Sequence, residues 1–294
     1  MSHSSAEIDF CTQSCQHGIR LDGRACEDFR PLELELGLIA QASGSARLHL
    51  GSTDVIVGVK AEVGAPLREH PDCGRLQATV EMSSCASPEY EGRGGELWGL
   101  QLAQALEASL VPEHPEKGGG GLDLRSLSII PGKAVWLLYV DALVLNDGGG
   151  VLCVCVCVAL AALSNTRVCV CVFTMGGGAG EGDAAEPEIE LEDDEEGEGG
   201  RPLQGVAEVP LIVSLGQVDN AVVVDPTCLE EQCAASVMHI AANARGEVCG
   251  VQQSGRQGVD PAALVALMER GAAAGSEVLA SLHAYFKQAP QQGT

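Results

Sequence analysis

The chain has 294 residues, of which 46% are hydrophobic and 3% aromatic, and its formal net charge is −24 at pH 7. This length suits one large domain or two smaller halves, whose cores must be built from Val, Leu, Ile and Ala. The negative charge argues against autonomous binding of nucleic acid. No apolar run reaches the length of a membrane span. The chain has 13 cysteines and no visible export signal, which favours reduced thiols.

Strands and one helix are predicted in the first part of the chain. Residues 32–36 alternate between apolar and polar, and residues 45–64 alternate on both sides of Gly51-Ser52, which indicates a strand, a tight turn and a second strand. The period then changes to that of a helix over residues 95–110. Its predicted buried stripe consists of Leu97, Leu100, Ala103, Leu106 and Leu110.

The remainder of the chain repeats this order of elements. Two strands are predicted around a turn at Pro131-Gly132, and two hairpins are predicted with turns at 218–220 and 243–246. Asp260-Pro261 has the features of a helix start, and apolar residues at helical spacing continue to Phe286. Strands followed by a helix therefore occur twice, which predicts an α+β fold of two related halves.

An acidic segment lies between the two predicted halves. Residues 176–200 contain no Lys or Arg, and their acidic, Gly-rich composition predicts a disordered loop or linker. The predicted organisation is an N-terminal tail over 1–16, a first half over 17–175, the acidic loop over 176–204 and a second half over 205–290.

Three closely spaced cysteines suggest a metal site at first sight. Structural zinc sites favour paired C-x-x-C spacing, but Cys153, Cys155 and Cys157 follow C-x-C spacing and the chain has no C-x-x-C. Buried core cysteines are therefore favoured, with a metal-related or redox role as the alternative. The alternation of Val with Cys favours a strand, and it is also what a GT repeat in DNA would encode.

Few residues qualify as a catalytic or anion-binding set. The turn at 148–150 could attract an anion through its backbone N–H groups, but no Lys, Arg, Ser or Thr directly follows it. The histidines lack metal-ligand spacing, and no G-x-S-x-G motif is present. Arg93 stands between glycines in EYEGRGGE, where it could contact phosphate or pair with Glu91 or Glu96.

Several motifs in a single order resemble the RNase PH-like family. The stretches that carry the resemblance are IRLDGRACEDFRPLELELG, EYEGRGGE, LDLRSLSIIPGKAVWLLYVDALVLNDGGG and VVVDPTCLEEQCAASVMHIA. They are most similar to a non-catalytic ring subunit of the eukaryotic RNA exosome, of the type called component seven in animals. The resemblance implies an α+β fold of two ββαβ-like halves, with a ribosomal-protein-like β-α-β arrangement and mixed sheets packed on helices.

The resemblance also implies what the site has lost. Active members follow the Asp-Gly-Gly turn with Thr-Arg to bind phosphate, whereas here Asp147-Gly148-Gly149 is followed by Gly150-Val151. Active members place catalytic aspartates before the second-half strands, where this chain offers only Glu208. We therefore expect no catalytic residue, no metal and no cofactor. In the family, residues 147–163 form the turn and a buried helix, in conflict with the strand that the alternation favours.

The expected role is structural support of 3′–5′ RNA processing and degradation, including rRNA maturation and mRNA turnover, by a separate nuclease. The expected partners are other RNase PH-like subunits in a hetero-hexameric ring, RNA-binding cap proteins, an associated exoribonuclease and RNA in the shared channel, with no membrane. Arg93 and, less strongly, Arg125 are the predicted RNA contacts. The expected location is the nucleus, nucleolus and cytoplasm. The alternatives are an active phosphate-dependent 3′–5′ exoribonuclease and an acidic scaffold or chaperone-like protein.

Overall fold

A six-stranded sheet forms the first half of the chain in a computed structural model that describes residues 4–112, 120–169, 171–175, 187–191, 200–255 and 257–288. Its strands are β1 (Leu32–Leu36), β2 (Gly44–Leu50), β3 (Thr53–Gly64), β4 (Arg75–Met82), β5 (Ser128–Ile130) and β6 (Ala134–Asn146). The spatial order is β1-β2-β3-β6-β4, with β5 also beside β6, and only the β4–β6 pair is parallel. Alternation places Val55, Val57 and Val59 in the core.

Helix α2 (Arg93–Leu110) confirms the predicted helix and the burial of Ala103, Leu106 and Leu110, but not the predicted burial of Leu97 and Leu100. Leu97 and Leu100 are 65% and 57% exposed. The buried face instead contains Gly95, Gly99, Leu102, Ala103, Leu106 and Leu110. A Cβ on Gly99 would collide with the backbone oxygen of Val80, so the helix packs onto β4 through this glycine. Glycine carries no hydrophobic signal, which is why the sequence pattern misplaced the face.

Helix α3 (Val151–Ser164) replaces the strand that the Val-Cys alternation favours and agrees with the family resemblance. All residues from 151 to 163 are buried, because α3 lies between the first sheet and the second and also contacts α2. Complete burial on every side outweighs the weak strand preference of Val and Cys. None of the helices within the described residues combines the length and hydropathy that a membrane crossing requires.

The second half is a four-stranded antiparallel sheet covered by a long helix. Its strands are β11 (Leu211–Val218), β12 (Ala221–Val224), β13 (Ser236–Ala242) and β14 (Val248–Gly255), and their spatial order is β12-β11-β13-β14. Helix α4 (Cys228–Cys233) precedes β13 in the chain, and helix α5 (Pro261–Gln288) follows β14. Both predicted hairpins and the predicted start of the last helix are confirmed.

Within the segment predicted as an N-terminal tail over 1–16, residues form helix α1 (Ser5–Gln16). The helix begins with a capping box in which Ser4 and Glu7 satisfy each other's backbone N–H groups. Cys11 and Cys15 are buried in a small cluster with Val218 and Val223 of the second half. The helix therefore packs on the second half of the chain.

Part of the segment predicted to be a disordered loop is regular structure. Strand β9 (Pro187–Leu191) pairs antiparallel with β8 (Cys171–Met175), and β10 (Arg201–Pro202) pairs with β7 (Arg167–Val168). The loop prediction is therefore wrong at these positions, because backbone pairing outweighs the acidic composition. Residues 176–186 and 192–199 of that segment lie outside the described residues.

Candidate functional site

Two buried arginines near the start of the first half bind the second half. The Arg20 guanidinium donates to both carboxylate oxygens of Glu230, at 2.8 and 2.5 Å. It also donates to the backbone oxygens of Val224 and Asp225, each at 2.8 Å. The planar guanidinium thus fixes the loop between β12 and α4 through charge-assisted hydrogen bonds.

The second arginine joins this loop to the turn that precedes α3. The Arg30 guanidinium donates to both carboxylate oxygens of Asp225, at 2.7 and 2.6 Å, and to the backbone oxygens of Gly148 and Gly149. Burial of Arg30 alone would lower its pKa, but the hydrogen bonds and charge of Asp225 outweigh burial and raise it. Arg30 is therefore a fixed structural cation.

The turn at 148–150 requires glycine for steric reasons. A Cβ on Gly148 would collide with Ser52 Oγ, and a Cβ on Gly149 would collide with the backbone N of Cys228. Gly149 and Gly150 also have φ of +98° and +67°, which glycine adopts without strain. The close approach of α4 to the turn follows from these glycines, and Cys228 N–H donates to the Gly148 oxygen at 3.0 Å.

Protein oxygens already accept the hydrogen bonds that the turn offers. Gly148 N–H donates to Thr53 Oγ1 at 3.1 Å, and Gly149 N–H donates to Asp147 Oδ1 at 2.9 Å. Gly150 N–H, at the start of α3, donates to Glu231 Oε1 at 2.9 Å. A helix N-terminus attracts anions, and here the anion is a carboxylate of the protein itself.

These residues border a cleft of about 790 Å³ between the two halves. The first half contributes Trp98 and Gln101 of α2 together with Tyr90 and Asp147, and the second half contributes Glu231 and residues of β13 and β14. Within the described part of the chain, no lysine or arginine lines this cleft. Its charged groups are therefore the two carboxylates.

The carboxylates perturb each other and their neighbours. Burial and the nearby Asp147 raise the pKa of Glu231 to about 7, although the hydrogen bond from Gly150 acts in the opposite direction. The Tyr90 hydroxyl donates to Asp147 Oδ2, and burial together with this bond raises the pKa of Tyr90. The cleft is thus unfavourable for a second anion such as phosphate.

A histidine on the other side of the cleft is held neutral. Burial lowers the pKa of His239 to about 4, so its ring carries no charge at neutral pH. Its ring nitrogens lie 2.9 Å from Ser214 Oγ and 3.2 Å from Ser254 Oγ. The histidine therefore supplies no positive charge that could replace the missing arginine.

The structure separates the two predicted RNA contacts, Arg93 and Arg125. Arg93 is exposed at the first residue of α2, and its side chain forms no ion pair with Glu91, Glu96 or any other described residue. Arg125 is exposed in the 3₁₀ turn Leu124–Leu127, near the C-terminal end of the same helix. An 18-residue helix is about 27 Å long, so the two arginines do not form one site. RNA binding by either stays a prediction.

The acidic residues that dominate the cleft were not predicted from the sequence. Glu208, named as the acid nearest to the family's catalytic position, is exposed at the end of a 3₁₀ turn and does not line the cleft. The residue that does so is Glu231 of α4. Thr227 and Glu230 form a capping box, so the pattern T-x-x-E could have located this helix. No group of His, Cys, Asp or Glu in the described residues is arranged to hold a metal ion.

Two α+β halves that meet at a glycine turn are typical of two-domain proteins with the RNase PH fold. Residues 28–168 match domain 1 of the 3′ exoribonuclease family, and residues 208–274 match domain 2. A chain of an Archaeoglobus fulgidus exosome with RNA bound to the active site superposes with a TM-score of 0.74 and 27% identity, covering 93% of this chain and 96% of that chain. The predicted α+β fold is confirmed.

Similar proteins of known family show to which subunit type of the exosome this chain is related. Exosome complex component Rrp42 of Pyrococcus furiosus is 31% identical over 92% of this chain and 86% of that protein. Rrp42 of Methanosarcina acetivorans is 29% identical over 81% of this chain and 79% of that protein. The chain therefore belongs to the RNase PH-like 3′ exoribonuclease family and is a homologue of exosome complex component Rrp42, which confirms the resemblance predicted from its motifs.

Proposed function

We propose that this chain is a non-catalytic, structural subunit of an RNA exosome ring. It assembles with other RNase PH-like subunits into a six-membered ring, which RNA-binding cap proteins cover on one face. RNA passes through the shared channel to a separate exoribonuclease. This role supports 3′–5′ RNA processing and degradation, including rRNA maturation and mRNA turnover.

One observation carries the absence of catalysis. Phosphorolysis needs a bound phosphate, whose charge must be stabilised by cations and by N–H groups free to donate. The turn donates its N–H groups to Thr53, Asp147 and Glu231, and no described lysine or arginine lines the cleft. A phosphate bound at this turn would have to displace Glu231 and would be repelled by Asp147, which supports the proposed absence of catalysis.

The experiment on catalysis uses the purified full chain with uniformly labelled RNA, in the presence and absence of inorganic phosphate. We expect no nucleoside diphosphate in either reaction. The variant Glu231→Gln tests whether the negative charge of Glu231 alone prevents catalysis. It removes this charge but adds no cation, so we expect the variant to be inactive as well. Phosphate-dependent release of nucleoside diphosphates by the unmodified chain would show an active exoribonuclease instead.

The experiment on assembly is co-expression with RNase PH-like exosome subunits, followed by light scattering on the purified complex. We expect a hexameric ring that contains this chain, and we expect the ring to form equally well when residues 176–199 are deleted. Recovery of the chain only as a solitary monomer contradicts the proposed role. Assembly that depends on the deleted residues supports the acidic-scaffold alternative.

We also propose that the protein is present in the nucleus, nucleolus and cytoplasm, where an exosome would meet rRNA precursors and mRNA. Imaging of a fluorescent fusion beside a nucleolar marker tests this location. Signal confined to a membrane compartment is incompatible with it.

A further inference from the structure

A second cavity lies at the end of the first half, away from the cleft. It has a volume of about 290 Å³ and is lined by residues 126–129, Trp136, Val168, Cys169 and residues 201–204. Strand β5 borders one side of it and strand β10 the other, and we refer to it as the β5–β10 groove. Neither the proposed ring assembly nor the predicted catalytic loss assigns it a role.

The floor of the β5–β10 groove is apolar but contains one hydroxyl without a partner. Leu127 and Trp136 are buried, and Leu203 is half-buried beside them. Ser128 Oγ is buried and has no hydrogen-bond partner among the described residues. This hydroxyl lies beneath the accessible surface, so the accessible apolar lining is supplied by half-buried residues such as Ile129 and Leu203, and the groove is suited to an apolar group.

One exposed cation lines the groove, and two more are close in sequence to residues that line it, in a chain that is otherwise strongly acidic. Arg201 lines it, Arg125 directly precedes its first lining residue, and Lys133 lies in the turn between β5 and β6. None of these three side chains forms an ion pair within the described residues. Among the described residues, Asp123 lies beside the groove: its Oδ1 accepts the backbone N–H of Arg125, and its own N–H donates to Gln204 O.

The backbone around the groove offers room for an extended chain. In the described residues β5 pairs with β6 alone, and β10 pairs with β7 alone. Each of these short strands therefore has an edge without a strand partner, and the groove lies between the two pairs. Extended peptides commonly add to such edges through backbone hydrogen bonds, with side chains entering adjacent pockets.

We propose that the β5–β10 groove binds an extended, acidic peptide segment of a partner protein. One apolar side chain of that peptide packs on Ile129 and Leu203, the half-buried apolar residues that line the groove, and a carboxylate of it pairs with Arg201. RNA is a poorer match: stacking of bases requires an accessible aromatic face, and Trp136 is only 8% exposed. Three cations are also too few for strong binding of a phosphate backbone.

The experiment is a selection of random ten-residue peptides, displayed on phage, against the full chain. A fluorescein-labelled copy of the enriched peptide is then measured by fluorescence anisotropy against four proteins: the unmodified chain, Arg201→Glu, Ser128→Ala and Arg245→Glu. Arg245 is the matched control, because it is an exposed arginine in the distant turn between β13 and β14, where it pairs with Glu247.

We expect the enriched peptides to share an acidic residue next to an apolar one. We also expect at least tenfold weaker binding to Arg201→Glu, and no change for Ser128→Ala or Arg245→Glu. Arg201 and Arg245 are exposed and Ser128 is partly buried, so circular dichroism is used to check that each variant is folded. Enrichment of peptides without acids, or equal losses for Arg201→Glu and Arg245→Glu, overturns the proposal. So does tighter binding of a six-nucleotide oligoadenylate that Arg201→Glu abolishes, since the groove would then be an RNA site.

Discussion

Glu230 and Glu231 are adjacent in α4, but their side chains lie in two regions of the molecule with opposite electrostatics. Glu230 points into the junction between the halves, where Arg20 binds both of its oxygens. Burial alone would raise the pKa of Glu230, but the bonds from Arg20 and Thr227 outweigh burial and lower it. Glu231 points into the cleft, where burial and Asp147 raise its pKa to about 7.

The difference shows that burial by itself does not decide what a carboxylate does. In the junction each buried acid has a guanidinium partner, so the ionised form stabilises the fold. In the cleft Glu231 accepts a hydrogen bond from a backbone N–H and lies near Asp147, with no guanidinium partner among the described residues. Ionisation of Glu231 is therefore unfavourable in the folded state. One short helix thus presents a structural acid on one side and an anion-excluding acid on the other.

The junction can be broken with Arg20→Met. Removal of the guanidinium leaves the Glu230 carboxylate buried without a countercharge, and we expect the free energy of unfolding at pH 7 to fall by about 3–5 kcal/mol. Urea denaturation measures this loss. The double variant Arg20→Met/Glu230→Leu is the control, because it removes both charges and should recover much of the loss. A loss below about 1 kcal/mol for the single variant would contradict the pairing.

For Glu231 in the cleft, we expect the pH dependence of stability to be opposite to that of Glu230 in the junction. The raised pKa of Glu231 favours its protonated form in the folded state, so its contribution is fully present below pH 4.5 and is lost as the pH rises through about 7. We expect Glu231→Gln to be more stable than the unmodified chain by about 1–3 kcal/mol at pH 8, and equally stable at pH 4. Denaturation at several pH values measures the difference.

Glu230→Gln sharpens the same comparison. The lowered pKa of Glu230 means that its stabilising contribution is present above pH 4.5 and is lost as the pH falls through its folded-state pKa. The Glu230→Gln variant should therefore lose stability at neutral pH and approach the unmodified chain in acid. If both glutamine variants shifted stability in the same direction at pH 8, the contrast between junction and cleft would be wrong.

The smallest expected effect concerns a cation outside both regions. Arg93 is exposed and has no described ion-pair partner, so Arg93→Ala should change the free energy of unfolding by less than about 0.5 kcal/mol. In the assembled ring we expect it to reduce ultraviolet crosslinking to RNA by about twofold to fivefold. Arg125→Ala should have a smaller effect and Arg245→Ala none. An unchanged crosslinking yield for Arg93→Ala removes this contact.

Much of the fold followed from sequence patterns, and the exceptions have physical causes. Hairpins and α5 carried strong local signals, namely alternation around turns and Asp-Pro at a helix start. The α2 face was misplaced because two glycines, which carry no hydrophobic signal, form part of its contact surface. The helical form of α3 was predicted by family resemblance alone, since a helix buried on all sides has no polar face to reveal its period.

The candidate site was less predictable than the fold. The absence of Thr-Arg after the glycine turn was visible in the sequence, but the hydrogen bond between Glu231 and this turn was not. Glu231 reaches Gly150 across 81 residues of chain, and no local pattern reports such a long-range hydrogen bond. Likewise, Arg20 and Glu230 are 210 positions apart, so their pairing emerges only when the two halves dock.

The uniform chemistry of α3 has a consequence for how its position is determined. Each of its faces presents Val, Cys, Ala or Leu, so a rotation about the helix axis would expose no polar group and would leave the same kinds of atoms in contact. The orientation of α3 must therefore be determined at its two ends. At the N-terminal end Arg30 binds the preceding turn. At the C-terminal end the Thr166 hydroxyl donates to Ala162 O, and Thr166 packs against Gly44. Insertion or deletion of one Val-Cys unit would rotate the two ends of α3 by about 200° relative to each other. We therefore expect the contacts at the two ends to be disrupted rather than the packing along the helix.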